Sequence, residues 1–192
     1  MQGVVEARIE EIPAGATLEP LKLAVDELVY ILNGRGVASV WSEDAASKKS
    51  FEWATRSLFL IPRNNWCQLG NMDGTNPVRI LRYNFLPIAM SAIPEPEFFF
   101  NNPYTNPGVL QSDAGDFYSE AVGEIIPGEG RFAESGRQIW KGNFFPDMGA
   151  WDKLVPFKGR GAGGHVVFIR TPGSESNVKE IYDKCAELSA DP

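Results

Sequence analysis

Few residues of this 192-residue chain are suited to chemistry, and their scarcity narrows what it can do. One histidine, His165, and two cysteines, Cys67 and Cys185, are its only imidazole and thiol groups. Zinc and iron sites draw on two or more imidazoles or on a cysteine cluster, so no metal and no cofactor is expected. His165 is the one ready general base, yet it sits in the apolar run 164–169, where a structural histidine is the plainer account. Cys67 would need a neighbour that lowers its pKa, and no histidine is near it in sequence, so it reads as a small buried hydrophobe. Tyr30 shares a strand face with Leu28 and Leu32, which makes it a candidate hydrogen-bond donor or general acid in an apolar setting. Arg82 and Asn84 share one face of the run 78–85, with Arg79, Leu81 and Tyr83 on the other. If the first face is inward, Arg82 can meet a carboxylate or enolate oxygen; both facings stay open. Asp26 and Glu27 stand at a strand entrance and read as solvated rim carboxylates. The five tryptophans read as core or interface aromatics, and Trp66, beside the turn 62–65, is the best candidate for a ligand platform.

The elements that must hold these residues are short. Residues 7–12 alternate apolar and charged side chains before Pro13-Ala14-Gly15 breaks the run. Glu27 to Leu32 and Val37 to Trp41 are β-branched and aromatic runs separated by Asn33-Gly34, which signals a hairpin. Short strands at 51–53, 58–61 and 78–85 follow, with turns at 62–65 and 72–74. Strands recurring about every ten residues without a helical period suggest an antiparallel sandwich or barrel. After Pro87 the stretches 93–97 and 101–103 read as extended or turn-like, and 115–120 as a short helix. Trp140, Phe144, Phe145, Trp151 and Phe157 are expected to pack on the barrel. The run 178–188 places Val178, Ile181, Cys185 and Leu188 on one helical face and reads as a terminal amphipathic helix.

Composition excludes several classes of partner. A hydrophobic fraction of 43% and a charged fraction of 22% belong to an ordinary globular protein, and 19 Gly with 14 Pro favour turns over long helices. With a net charge of −7 and no basic cluster beyond Lys48-Lys49, a nucleic-acid or anionic membrane surface is disfavoured. The start has no basic segment followed by an apolar one, and no apolar run approaches the ~20 residues of a membrane span, so a cytoplasmic chain with free thiols is expected.

Two segments carry a resemblance. Gly15, five residues, Leu21-Lys22-Leu23, four residues, Leu28 and then Asn33-Gly34-Arg35-Gly36 resembles the first motif of the cupin superfamily. Arg56, five residues, then Pro62 to Asn71 resembles the second. The frame covers residues 7 to 86, and in it Leu21, Leu23, Leu28 and Cys67 stand where the family has two histidines, a glutamate and a third histidine. The resemblance implies an all-β cupin barrel of the double-stranded β-helix or jelly-roll type, with loop-rich elaboration and a short C-terminal helix. The expected division is 1–90 for the core strands, 91–136 for the elaboration and 137–192 for a bridge strand and helix. The segment 143–147 with 160–164 resembles the bridge of double-cupin proteins. A lumen lined by Leu21, Leu23, Leu28, Trp66, Cys67 and Leu69 suits a hydrophobic small molecule, or is simply packed. Two functions follow as expectations. One is a metal-independent isomerase, cyclase or lyase that uses Tyr30 and Arg82; the other is a non-catalytic binding or dimerising protein. A homodimer is implied, with 98–104 and 140–157 as its expected surface.

Overall fold

The computed structural model describes residues 3–43, 48–105, 110, 118, 122–126, 137–149 and 167–169. Eight strands run in chain order: β1 (Glu6–Ile12), β2 (Leu21–Lys22), β3 (Glu27–Asn33), β4 (Arg35–Trp41), β5 (Lys49–Ala54), β6 (Leu58–Ile61), β7 (Trp66–Asn71) and β8 (Val78–Asn84). They form two antiparallel layers, β1-β8-β3-β6 and β2-β7-β4-β5, and each layer takes strands from both ends of the series. Interleaving of that kind is the double Greek key of a jelly roll, the fold expected from the sequence. Beyond the barrel strands come β9 (Val122–Ile126), β10 (Arg137–Gly142), β11 (Phe144–Phe145) and β12 (Val167–Ile169). β11 lengthens the first layer beside β6, with Phe144 opposite Phe59, while β9, β10 and β12 make a three-stranded sheet.

The core between the layers is Ile12, Val29, Ile31, Ala38, Val40, Trp53, Phe59, Leu69, Val78 and Ile80. Phe51 completes it, stacking on Tyr118 at 4.2 Å and meeting Phe144 at 4.9 Å between ring centroids. So the aromatics expected to cover the barrel do so at Phe144 and Phe145, both buried; Trp140, Trp151 and Phe157 carry no described side chain.

Two local readings are corrected. Asn33-Gly34 does not close a hairpin, because β3 pairs with β6 and β8 while β4 pairs with β5 and β7. The chain instead turns a corner from one layer to the other. Gly34 makes that corner with φ 98°, where an added Cβ would strike Val78. Of the stretch 93–97, Ile93 and Glu95 are extended as expected, but Pro96 and Glu97 belong to a single turn α2 (Pro96–Phe99), which follows the short helix α1 (Leu86–Ala92). Proline opens both, since its fixed φ suits a first helical turn and its missing N–H is not needed there. The expected helices at 115–120 and 178–188 lie outside the described residues, apart from Tyr118.

Asn71, the last residue of the second motif, ties the barrel end together. Its side-chain amide donates to the carbonyls of Ile12, Pro13 and Asn76, and its oxygen accepts from the Asp73 N–H. The Asp73 carboxylate collects N–H and O–H donors from Thr75 and Asn76, which hold it well below the usual carboxylate range.

Candidate functional site

In a strand the side-chain period is two, so burial shows which residues face the lumen. Along β3 the buried set is Glu27, Val29 and Ile31, while Leu28 and Tyr30 are half-buried and Leu32 is exposed. This reverses the expected parity. Tyr30 and Leu28 project from the outer face of the layer, away from the lumen, and Glu27 takes the inward place assigned to Leu28. The spacing from Leu23 to the inward acid is thus three residues rather than four. On β8 the inward face is Val78, Ile80, Arg82 and Asn84, which settles the open facing of Arg82 as inward. On β1 it is Glu6, Arg8, Glu10 and Ile12.

These facings split the lumen into two halves of different chemistry. One half is the apolar core. At the other, the registers Glu6–Asn84–Glu27 and Arg8–Arg82–Val29 bring polar residues of three strands together. Arg82 Nη1 donates to Glu27 Oε2 at 2.5 Å and Nε to Glu10 Oε2 at 2.6 Å. Arg8 Nη2 donates to Glu27 Oε1 at 3.2 Å and Nη1 to Glu6 Oε1 at 2.8 Å. Asn84 Nδ2 adds a 3.2 Å bond to Glu27 Oε1, and its own oxygen accepts the Leu86 N–H that begins α1. Glu27 is 2% exposed and Arg82 5%, so the central pair is removed from water. Burial by itself would lower the Arg82 pKa; the carboxylates of Glu27 and Glu10 outweigh it and hold the guanidinium protonated above its ordinary value. Glu27 is therefore not the solvated rim carboxylate expected, whereas Asp26 is exposed and accepts the Arg63 N–H.

One narrow recess reaches this network, lined by Leu21, Leu23, Val25, Glu27, Ile61, Pro62, Cys67 and Arg82, with room for about one water molecule. Leu21 pairs in register with Cys67, so three of the four family ligand positions, together with Glu27 in place of Leu28, do converge. Leu69 is also inward but lies in the apolar core, 1% exposed. Trp66, the expected platform, is outward: it alternates with buried Cys67, lies near-parallel to Trp41 at 6.4 Å and has the Lys22 ammonium 5.2 Å over its ring. Lys22 itself is buried and donates to the Tyr104 carbonyl, and burial lowers its pKa. The segment 99–101 runs along β2, with Ala24 N–H to the Phe99 carbonyl and Asn101 N–H to the Lys22 carbonyl, so Phe99 is spent on packing rather than left as surface. His165 lies outside the described residues.

The residues do not fit the metal that the fold implies. Two positions are leucines with no lone pair to give, and Glu27 already serves two guanidinium groups and an amide. Burial pushes the Cys67 thiol up to about 12 against a smaller opposing pull from Arg82. Among the described residues no three His, Cys, Asp or Glu side chains converge on a cation. Arg82 instead puts a fixed positive charge among the vacated ligand positions.

The Cys67 thiol has a testable consequence. Its folded pKa lies well above the ordinary thiol value of about 8.5, so the thiolate is scarce in the native state at pH 8. In a Cys185→Ser background, a thiol reagent at pH 8 should label Cys67 only as fast as the protein opens, at least about a hundredfold slower than in urea. Fast labelling that rises through pH 8–9 would show an accessible, ordinary thiol.

No family model and no curated protein matches the sequence. Solved structures do. The oxalate decarboxylase of Lactobacillus farciminis is 21% identical with a TM-score of 0.40, over 44% of this chain and 25% of that one. Vicilin from Solanum lycopersicum is 16% identical at 0.40, over 43% and 22%. The Bacillus subtilis oxalate decarboxylase at pH 4.6 is 14% identical at 0.39, over 43% and 21%. The matched part spans about a quarter of the first of these proteins. None of the described helices is long and apolar enough to cross a membrane. The strand order gives the conclusion: residues 6–84 form a single antiparallel jelly-roll barrel of two layers.

Proposed function

We propose that this barrel is a metal-free, non-catalytic cupin module, in which a buried ion-pair network has taken over the space and charge of the family's metal. One observation carries the reading: the Arg82 guanidinium lines the same recess as Leu21, Leu23, Glu27 and Cys67 and is paired to the one carboxylate in that ring. A divalent ion would have to displace a guanidinium from Glu27 and then find its remaining ligands among leucines. The buried cation is already neutralised, so the site has no unmet charge to attract an anionic substrate. Elemental analysis of purified protein should find manganese, iron, nickel and zinc far below one equivalent per chain, and adding these ions should leave the melting temperature unchanged. Stoichiometric metal that survives dialysis against a chelator, with a melting temperature that falls on its removal, would sink the reading.

A metal-independent isomerase, cyclase or lyase acting on a hydrophobic small molecule is the second reading. What favours it is that Glu27 and Arg82, an acid–base pair, both line a recess otherwise made of Leu21, Leu23, Val25, Ile61, Pro62 and Cys67. The recess must first open, because its present size admits no more than a water. Tyr30 has no part in this version, since it lies on the other side of the layer.

A further inference from the structure

The outer face of the layer β2-β7-β4-β5 carries a row of side chains that neither the core nor the lumen uses. Strand register sets Trp66 opposite Lys22 on one side and opposite Trp41 on the other. Lys48, just ahead of β5, completes the row with its ammonium 4.8 Å over the Trp41 ring, as Lys22 lies 5.2 Å over Trp66. The order across the layer is thus Lys22–Trp66–Trp41–Lys48, two near-parallel indoles 6.4 Å apart between two cations. Two residues along the strands, on the same face, Gln68, Ser39 and Ser50 form a second row. Its two serine hydroxyls bond to each other at 2.8 Å. Trp41, Trp66, Ser39 and Gln68 are half-buried and Lys48 and Ser50 exposed, so both rows meet solvent. Charge also singles the row out. The described salt bridges engage Arg8, Arg56, Arg79 and Arg82, whereas neither Lys22 nor Lys48 joins one among the described residues. Lys22 donates to the Tyr104 carbonyl and feels Glu43 only at longer range. On a chain of net charge −7, this is a local excess of positive charge beside exposed aromatic rings.

We propose that this face binds a short acidic saccharide, with its ring faces on Trp41 and Trp66, its hydroxyls on the row Ser39, Ser50 and Gln68, and a carboxylate at Lys48. Three kinds of group select that class. The indoles offer flat apolar faces, the second row offers hydroxyl and amide partners, and the lysines offer uncompensated charge. A sugar ring presents a C–H face and a hydroxyl rim, and a uronate adds the anion, so a single unit meets all three. An aromatic acid leaves the hydroxyl and amide row unused, and a neutral sugar leaves the lysines without a counter-charge. A nucleotide phosphate is held by free backbone N–H groups or an arginine fork; here the β4 and β7 backbones are spent on each other and the row contains no arginine. Lys48, on an exposed flexible stem, leaves the Trp41 ring as its ammonium meets the carboxylate, while buried Lys22 stays behind Trp66 as a fixed charge. Trp66 thereby has the platform role expected of it, on the outer face instead of in the lumen. The inference does not depend on what the lumen does.

Isothermal titration calorimetry of the full chain with trigalacturonate tests it. Binding should saturate with a Kd below about 1 mM and weaken at least about fivefold in about 0.5 M sodium chloride. Trp66→Ala should weaken it at least about tenfold. Because losing an indole can also disturb the sheet, Lys48→Glu at an exposed position is the second variant and should weaken binding as much. Arg79→Glu, the same charge change at an exposed position on the opposite layer, should leave the Kd within about twofold. No saturable heat up to about 10 mM trigalacturonate overturns the proposal. So does cellotriose, benzoate or adenosine monophosphate bound as tightly as trigalacturonate, or equal affinities for Lys48→Glu and Arg79→Glu.

Discussion

Arg82→Leu should lower the unfolding free energy by about 3–5 kcal/mol, the usual cost of leaving one member of a buried ion pair without its partner. The reason lies in what stays behind. Glu27, 2% exposed, would keep only the 3.2 Å contacts from Arg8 and Asn84, and Glu10 would lose its sole described partner. Glu27→Leu alone should cost a similar amount, because Arg82 would then be buried with one carboxylate instead of two. The double variant Glu27→Leu/Arg82→Leu should recover much of the loss, since an apolar pair of like volume needs no compensation for lost hydration. Urea unfolding of the four proteins closes the cycle. Additive losses, or a single-variant cost below about 1 kcal/mol, would mean the pair is not energetically coupled.

Gly36→Ala should cost about 3 kcal/mol or more and is the substitution most able to abolish folding. Gly36 lies in a central strand between Trp53 on β5 and Asn71 on β7. A Cβ there would overlap both the Gly70 carbonyl oxygen and the Trp53 ring. Neither can give way, because the carbonyl belongs to the β7 backbone and Trp53 is 3% exposed in the core. Gly74→Ala is the control: its Cβ would meet nothing within 4 Å, so the change should stay within about 0.5 kcal/mol. Equal unfolding midpoints for the two variants would contradict the close approach seen at Gly36. The glycine of the first motif thus survives for a packing reason that has nothing to do with a metal.

The barrel was legible because its signals are local. Turn residues at 13–15, 33–34, 62–65 and 72–74 bound runs of four to seven apolar and β-branched residues, and the motif frame put Pro62 and Asn71 where the turns need them. The site was legible only in part. Of the residues expected in the lumen, Leu21, Leu23 and Cys67 line the recess with the candidate Arg82, while Leu28 does not. Glu27, Glu10, Arg8 and Asn84 were missed as a group. A signal for them existed in the charged residues at alternate positions of β1, which find opposite charges on β8 and β3 once the strands are set side by side. Reading β1 as an ordinary half-buried strand put that signal out of view, since its apolar Ile9 faces out and its charges face in.

Strand spacing along the chain was enough to indicate a small antiparallel barrel, and a single histidine leaves at most one imidazole for any metal site. Both follow from residue types and spacing along the chain. Which side of each strand faces in depends on pairing between distant strands and is visible in the fold alone. With a side-chain period of two, a one-residue shift exchanges lumen and surface, and the motif frame put Leu28 rather than Glu27 at the inward place. The pairing of β3 with β8 chose Glu27, turned Arg82 to meet it, and sent Tyr30 to the outer face. An interaction between residues 55 positions apart could be settled in no other way.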